Sequence, residues 1–376
     1  SYMSLLRYNY DTSYGNYVDP DGKWQAALSP ISNANPDLRW EKTSEINVGL
    51  DFSFFNGRLF GSVDYYNKKT TDMLWEYSVP VPPNLFGSTT ANVGSMRNSG
   101  VEIMIGGTPV KTGKVEWTTT ITVAHNRNKL LSMSNNLYQT TDYFDGGWCE
   151  EPTSMPVQRT FIGGSIGDFY MLKSVGVVAS GPKQGMWLIE DPATGEAVKF
   201  ESGMRDFDSK YRQYLGSPLP KATLGWSNTV RFFGVDVTLA FSGQFGHKIF
   251  NNQRMFYENL NVGLNRYKSA ADPVYGVTLL SQSQEPVAVS YYLEDGDYMK
   301  LDNATIGYTF NTKKVKYIEK IRAYVSGENL FCITGYSGLD PELSQTDIYS
   351  FGMDWRQKYP TLRTFSVGLN ITFGGE

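Results

Sequence analysis

The last strand-like segment of the chain, Thr364–Phe373, constrains the fold more than any other stretch. Every second residue from Phe365 to Phe373 is large and apolar, whereas the residues between them are Ser, Gly, Asn and Thr. Because side chains alternate across a β-strand, this segment has one apolar face and one small, polar face. Such a strand fits a soluble sandwich, or a membrane barrel whose apolar face meets lipid and whose polar face lines a wet lumen.

Strand length distinguishes the sandwich from the barrel. Thr43–Phe55 shows the same alternation and ends at Asn56-Gly57, a strong signal for a hairpin turn. The strand predicted next, Arg58–Tyr77, covers about 20 residues, whereas sandwich strands are usually about 3 to 10 residues long. A strand of this length fits a tilted segment that crosses a bilayer and projects beyond it.

The predicted connections alternate between short turns and long loops. We predict about 12 strands, including an N-terminal one near Met3–Tyr10 and two at 167–179 and 186–200. The short turns are at 56–57, 111–114, 180–185, 233–234 and 311–320, and the long loops are at 79–98, 134–165, 201–221, 246–297 and 334–363. Outer-membrane barrels alternate in this way because their periplasmic turns are short and their outer loops long. We therefore expect an all-β, antiparallel transmembrane barrel with extracellular long loops and a periplasmic C-terminus.

Composition agrees with a barrel and excludes several other classes. The chain has 376 residues, 40% of them hydrophobic, and its mean hydropathy is -0.36, which argues against a helical membrane protein. Aromatic residues make up 14% of the chain, which suits the aromatic girdles of barrels. A net charge of -4 gives no electrostatic case for nucleic acid. Two His and two Cys argue against a His-rich metal site and a disulfide framework, and leave open whether Cys149 and Cys332 pair.

The sequence contains no convincing catalytic set. Ser165 lies in G-G-S-I-G, which is not the nucleophile elbow of a hydrolase. Glu201, Asp206 and Asp208 are better explained as a solvated loop than as paired acid–base carboxylates. We predict no enzyme activity, no catalytic or metal site and no cofactor. The alternatives are an outer-membrane enzyme, disfavoured by this absence, and a soluble β-rich glycan-binding or adhesin domain, disfavoured by strand length and loop alternation.

A series of short motifs along the chain resembles the SusC/RagA family of TonB-dependent outer-membrane transporters. The motifs include Asn35–Phe52 (NPDLRWEKTSEINVGLDF), Asn92–Glu102 (NVGSMRNSGVE), Leu215–Lys221 (LGSPLPK), Ala323–Phe331 (AYVSGENLF) and Thr334–Glu342 (TGYSGLDPE). No single motif is decisive, but their order from about residue 33 to 373 is specific. One departure is Arg205–Lys210, which lacks the Gly and most of the ligand spacing of a calcium loop, so we predict no calcium there.

The resemblance implies a plugged barrel of about 22 strands in the outer membrane of a Gram-negative bacterium. It implies import of oligosaccharides or peptides with a SusD-like lipoprotein lid. TonB–ExbB–ExbD would supply energy through an N-terminal plug and TonB box, and transporter–lid pairs would form dimers. Neither plug nor TonB box is recognisable here, so we expect residues 1–376 to be the C-terminal part of the barrel.

Residues that could contact a ligand or the lid cluster near the predicted outer ends of the strands. Flat aromatic faces can stack on sugars, and a mixture of amide, guanidinium and ring can recognise a polar polymer. The candidates are Trp75 and Tyr77 at a strand end, Tyr138, Tyr143, Phe144 and Trp148 in one loop, and Asn252, Arg254, Phe256 and Tyr257 in the longest loop. A membrane girdle and packing between loops are the competing explanations for these side chains.

Overall fold

The structure is a computed structural model that describes residues 5–134, 142–206, 208–263, 265–312, 317–343 and 350–374. These residues form strands and almost no helix, which confirms the all-β prediction. No helix among them is long and apolar enough to span a membrane.

The described residues form twenty-one strands and one short α-helix. The first half contains β1 (Tyr8–Val18), β2 (Trp24–Pro30), β3 (Lys42–Phe54), β4 (Leu59–Ser78), β5 (Ser88–Lys111), β6 (Val115–Ser132), β7 (Tyr143–Trp148), β8 (Pro156–Phe161), β9 (Phe169–Leu172), β10 (Ser174–Val177), β11 (Trp187–Glu190) and β12 (Ala197–Lys199). The second half contains β13 (Arg212–Gly216), β14 (Ala222–Phe232), β15 (Val235–Phe245), β16 (Lys248–Asn251), α1 (Asn252–Tyr257), β17 (Leu293–Asp295), β18 (Tyr298–Phe310), β19 (Ile318–Thr334), β20 (Met353–Asp354) and β21 (Thr364–Phe373).

Nine strands form one antiparallel sheet, which we call the wall. Its order is β3-β4-β5-β6-β14-β15-β18-β19-β21, so each strand pairs with the wall strand next to it in sequence. The predicted N-terminal strand is outside the wall: β1 pairs with β2 in a separate hairpin, and residues 1–4 lie outside the described part of the chain.

The predicted strands at 167–179 and 186–200 do not belong to the wall, and this part of the prediction was wrong. They break into β9 to β12, which pair in smaller sheets. The physical reason is that these segments pack into a core of their own: Phe169, Met171 and Leu172 in β9, and Trp187 and Ile189 in β11, are all buried. A wall strand keeps its apolar face exposed along its length, whereas β9 and β11 bury theirs.

With this correction, short and long connections still alternate along the wall. The short connections join β3 to β4, β5 to β6, β14 to β15 and β18 to β19, the last with residues 313–316 outside the described chain. The long connections cover 79–87, 133–221, 246–297 and 335–363. All short connections therefore lie at one end of the wall and all long ones at the other.

The two faces of the wall differ in chemistry. One face exposes large apolar side chains, among them Ile46, Val48, Leu50, Ile103, Ile121, Ile306, Val325, Val367 and Leu369. The other carries hydroxyls bonded across strands, as in Thr229–Thr238 at 3.4 Å and Thr305–Ser326 at 2.8 Å. An extended apolar face of this size needs an apolar partner, whereas the hydroxyl face suits water.

The large hydrophobic core lies in the long connections rather than in the wall. Residues 142–206, 208–221, 246–263, 265–297 and 350–363 contribute to what we call the loop assembly. It contains the sheets β13-β9-β8-β7, β10-β11-β12 and β17-β16-β20. Its core includes the fully buried side chains of Met155, Phe169, Trp187, Ile189, Phe250, Met255 and Met353. The predicted loops are thus a packed structure at one end of the wall.

Gly307 allows an ion pair to cross a strand on the polar face. Arg322 of β19 reaches over Gly307 of β18 to Asp236 of β15, with Nε 2.8 Å from Oδ1. A Cβ at Gly307 would lie 2.4 Å from a terminal nitrogen of Arg322. We expect Gly307→Ala to displace the guanidinium and to lower the free energy of unfolding by about 1–2 kcal/mol.

Thermal unfolding in detergent tests this expectation. Unfolding is monitored by the difference in gel mobility between heated and unheated protein. Gly113→Ala is the matched control, because a Cβ there would meet nothing within 4 Å. Equal melting temperatures for the two variants would contradict the role assigned to the Asp236–Arg322 pair.

Candidate functional site

The predicted aromatic residues of β4 and β7 meet where the wall joins the loop assembly. The rings of Trp75 and Phe144 lie 4.6 Å apart between centroids. They help to line an apolar cavity of about 50 Å³. Tyr77 also lines this cavity, but it is only 2% exposed and its hydroxyl donates to the carbonyl oxygen of Met133. The Tyr77 ring is therefore packed inside the protein, and ligand or lid contact by Tyr77 stays a prediction.

Tyr143 is held by a charged network. The Arg159 guanidinium lies 3.7 Å from the centre of the Tyr143 ring and bonds both oxygens of Asp145, at 2.7 and 2.9 Å. The Tyr143 hydroxyl donates to Asp208 at 3.1 Å, and this bond raises the pKa of the phenol. Of the predicted rings in this loop, Trp148 is 47% exposed and Tyr138 lies outside the described residues.

Helix α1 carries the other predicted residues, and the structure buries two of them. The Asn251 side chain caps the helix by accepting from the Arg254 N–H at 3.0 Å. Asn252 is fully buried and its Nδ2 donates to Glu150 at 3.0 Å. Phe256 is also buried, with the Arg356 guanidinium 4.0 Å from its ring centre. Both side chains are therefore engaged in contacts inside the loop assembly, and ligand contact by Asn252 or Phe256 stays a prediction.

Arg254 is engaged by neighbouring carboxylates. It bonds Glu258 at 2.9 and 3.1 Å, and Glu294 at 2.8 Å. Glu294 also accepts the backbone N–H of Ser337 at 2.8 Å. Tyr257 is half-buried, with its ring centre 5.3 Å from that of Tyr267. Arg254 therefore joins α1 to β17, and ligand contact by its guanidinium stays a prediction.

Beside α1 lies an open cleft of about 490 Å³ that sequence reasoning did not identify. We call it the Asp354 cleft; its lining includes Glu150, Glu342, Met353, Asp354, Trp355, Gln357, Lys358, Tyr359 and Thr361. The only sequence signal was the mixed run D-W-R-Q-K-Y at 354–359 inside a predicted loop. The cleft combines carboxylates, an ammonium group and aromatic rings, as sites for polar ligands do.

The polar groups of this cleft are held by well-defined partners. Glu150 accepts from Asn252 and, at 2.6 Å, from Arg356, which joins the loop after β7 to α1 and to the chain after β20. Asp354 is fully buried and accepts from the Tyr336 hydroxyl at 2.5 Å. Burial raises the pKa of the Asp354 carboxyl and lowers the pKa of the Lys358 ammonium.

Cysteine and metal chemistry add nothing to this site in the described residues. Cys149 is buried and Cys332 exposed, and both are free thiols, so the pairing left open by the sequence is not formed. Burial raises the pKa of the Cys149 thiol, which makes it unreactive. No group of three or more His, Cys, Asp or Glu side chains in the described ranges is arranged to hold a metal ion.

Comparisons with known proteins agree with this architecture. The model of the family described as TonB dependent receptor-like, beta-barrel matches residues 4–330. TonB-dependent receptor P3 of Formosa agariphila is 29% identical over 90% of this chain and 35% of its own length. TonB-dependent receptor SusC of Bacteroides thetaiotaomicron is 26% identical over 99% of this chain and 36% of its own.

A solved structure matches the fold as well. The structure of the RagAB peptide transporter superposes with a TM-score of 0.77 and 25% identity, covering 98% of this chain and 38% of that one. The chain thus spans little more than a third of the length of these relatives.

These relatives are described as receptors and transporters, which confirms the prediction that the chain is not an enzyme. The family match covers most of the chain, and the resemblance to SusC and RagA extends over nearly all of it. The chain is an outer-membrane protein of the SusC/RagA type and belongs to the TonB-dependent receptor-like β-barrel family.

Proposed function

We propose that this chain supplies part of the barrel wall and the outer loops of a TonB-dependent transporter. The transporter would import oligosaccharides or peptides. The observation that carries the proposal is the match of nearly the whole chain, wall and loop assembly together, to the RagAB peptide transporter. In this arrangement the long connections lie outside the cell, the short turns and the C-terminus lie in the periplasm, and the chain forms the C-terminal part of the barrel.

The chemistry of the two wall faces supports this role. The exposed apolar face would meet outer-membrane lipid, and the hydroxyl face would line a wet lumen through which a polar ligand can pass. The chain itself would perform no chemical step. A plug outside this chain would couple the barrel to TonB–ExbB–ExbD.

The loop assembly is the surface that we assign to ligand and lid. A SusD-like lipoprotein would close over it, and two such transporter–lid pairs would associate as a dimer. Exposed aromatic side chains at Trp148 and Tyr359 support this assignment, because rings of this kind are common in recognition surfaces. Nucleic acid is not an expected partner of a chain with this net negative charge.

Affinity purification of the full-length transporter from detergent-solubilised outer membranes tests the proposal, followed by proteomics and by ligand uptake in cells. We expect a SusD-like lipoprotein to co-purify, and uptake of an oligosaccharide or a peptide to disappear when TonB is deleted. A transporter that purifies without a lipoprotein and whose deletion leaves all such uptake unchanged would refute the assignment.

A further inference from the structure

We propose that the Asp354 cleft binds a cationic group of a peptide, either a lysine or arginine side chain or a terminal ammonium. The inference rests on the proposed transport function and narrows its ligand class from oligosaccharides or peptides to peptides that carry a positive charge. It is carried by three observations: an unpartnered buried carboxylate oxygen, a carboxylate without an ion pair, and exposed aromatic surface at the same cleft.

The first observation is the Asp354 side chain, which is fully buried where it lines the cleft. Its Oδ2 accepts from the Tyr336 hydroxyl at 2.5 Å, whereas its Oδ1 has no hydrogen-bond partner among the described residues. Buried polar atoms in folded proteins are nearly always bonded, so this oxygen lacks a donor. An ammonium or guanidinium group entering the cleft would supply it.

The second observation is the charge balance of the cleft. Glu150 pairs with Arg356 at 2.6 Å and Glu342 pairs with Lys300 at 2.6 Å. Within the part of the chain that the structure describes, Asp354 has no ion pair.

Lys358 is the cation that could have filled this role. Its ammonium donates instead to the carbonyl oxygens of Asp340, at 2.5 Å, and Glu342, at 3.4 Å. Lys358 therefore attracts the Asp354 carboxylate through space but forms no ion pair with it, and a ligand cation at hydrogen-bond distance would complement the carboxylate directly.

The third observation is the aromatic surface beside these carboxylates. Tyr359 is 76% exposed and Trp355 is half-buried, and both line the cleft. Aromatic rings attract cations and pack against the apolar stems of lysine and arginine. An oligosaccharide would offer hydroxyl donors and could stack on a ring, but it would leave the Asp354 carboxylate without an ion pair. The peptide is therefore the ligand that satisfies all three features.

The effect of Asp354 on folding stability distinguishes a ligand-binding role from a structural role. Burial raises its folded-state pKa above the ordinary value of 3.8, so its contribution to stability is greatest below that value and falls as pH rises through the folded pKa. At neutral pH the ionised carboxylate thus destabilises the empty protein. Asp354→Asn, which resembles the protonated form, should keep the Tyr336 bond and raise the melting temperature at neutral pH.

The test measures peptide binding to the full-length transporter in detergent by calorimetry. The probes are a seven-residue Ala/Ser peptide with one central Lys and an acetylated N-terminus, the same peptide with norleucine for Lys, and the norleucine peptide without acetylation. We expect the acetylated Lys peptide to bind at least about tenfold more tightly than its norleucine counterpart. The third probe shows whether a terminal ammonium substitutes for the side chain.

Variants then assign the preference to the cleft. Asp354→Asn should bring the Lys-to-norleucine affinity ratio close to one, while Glu285→Gln, an exposed acid of the same loop assembly whose partner is Arg205, should leave the ratio unchanged. Equal affinities of the wild-type protein for the Lys and norleucine peptides would overturn the proposal, and this comparison needs no variant to fold. A folded Asp354→Asn protein that keeps the preference would also overturn it.

Failure of this inference and failure of the proposed function give different results. A wild-type transporter that binds and imports neutral oligosaccharides but no peptide would refute the cationic site and leave TonB-dependent import intact. Cells that take up neither ligand class through the transporter would refute the function on which the site depends.

Discussion

A Gly185→Ala variant should lose the packed loop assembly while it keeps the nine-stranded wall. Gly185 has a φ of +77°, and a Cβ there would lie 2.4 Å from the Leu279 carbonyl oxygen and 2.7 Å from the Ser281 nitrogen. Both contacts are with backbone, which cannot rotate aside as a side chain can. Added to the cost of a left-handed conformation for alanine, this clash should destabilise the loop assembly by about 3 kcal/mol.

Limited proteolysis of the detergent-solubilised protein measures the loss of the loop assembly. The shift in gel mobility on heating reports whether the wall is still folded. The matched control is Gly181→Ala in the same S-G-P-K-Q-G turn, with a φ of +87° and nothing within 4 Å of its Cβ. It carries the backbone cost of about 1 kcal/mol without the clash. Equal loss of protease resistance in both variants would contradict this prediction, because it would show that the clash with residues 279–281 adds nothing to the backbone cost.

The wall was predictable from sequence because its strands have a simple period. The strand predicted at Thr43–Phe55 is observed as β3 (Lys42–Phe54), and the one at Thr364–Phe373 as β21 with the same bounds. The strand predicted from Ser99 begins instead at Ser88. The first residues of β5 are mostly small and polar, and they pair with β4 through backbone hydrogen bonds. Backbone pairing requires no alternation of apolar and polar side chains, so the sequence pattern did not reveal this part of the strand.

The loop assembly was not predictable by the same rule. Several of its strands are short and mostly apolar, as at β9 (Phe169–Leu172), so their apolar residues do not alternate with polar ones. Periodicity cannot separate such a run from a buried helix or a loop, and the partners of these strands come from distant parts of the chain.

Residue types alone predicted some members of the candidate site and missed others. The aromatic content of the loops pointed to Trp75 and Phe144, which do meet, and to Trp148, which is exposed. It could not distinguish these from Tyr77, which packs inside. The run at 354–359 was too weak a signal to single out Asp354, because a single Asp in a loop is ordinary and its burial arises only from the tertiary structure.

Replacing Arg254 by Met should have the second large effect, because it removes the cation from a buried cluster. Arg254 bonds Glu258 and Glu294, whose side chains are only 9% and 14% exposed. Two carboxylates would remain in the interior without a cation, a situation that typically costs about 3–5 kcal/mol. We expect α1 to detach from β17, and peptide binding at the Asp354 cleft to weaken, since α1 holds Asn252 against Glu150.

Protease resistance and the calorimetric binding assay report the two consequences of Arg254→Met. Arg39→Met is the control, because Arg39 forms an ion pair with Asp72 at a similar distance, 2.7 Å, but its side chain is 60% exposed. An exposed pair contributes less than about 1 kcal/mol, so this variant should behave as wild type. Equal losses of protease resistance and peptide affinity in both variants would show that burial does not determine how much the Arg254 ion pairs stabilise the protein.

The triple variant Arg254→Met, Glu258→Gln and Glu294→Gln separates loss of the cation from loss of the side chain. Neutralising all members of a buried ionic cluster is often neutral or stabilising, because no unpaired charge remains. We therefore expect the triple variant to recover much of the protease resistance that Arg254→Met loses. If the triple variant were as sensitive as the single one, the guanidinium would act through its packing near Tyr291, 5.2 Å from the ring centre, rather than through charge.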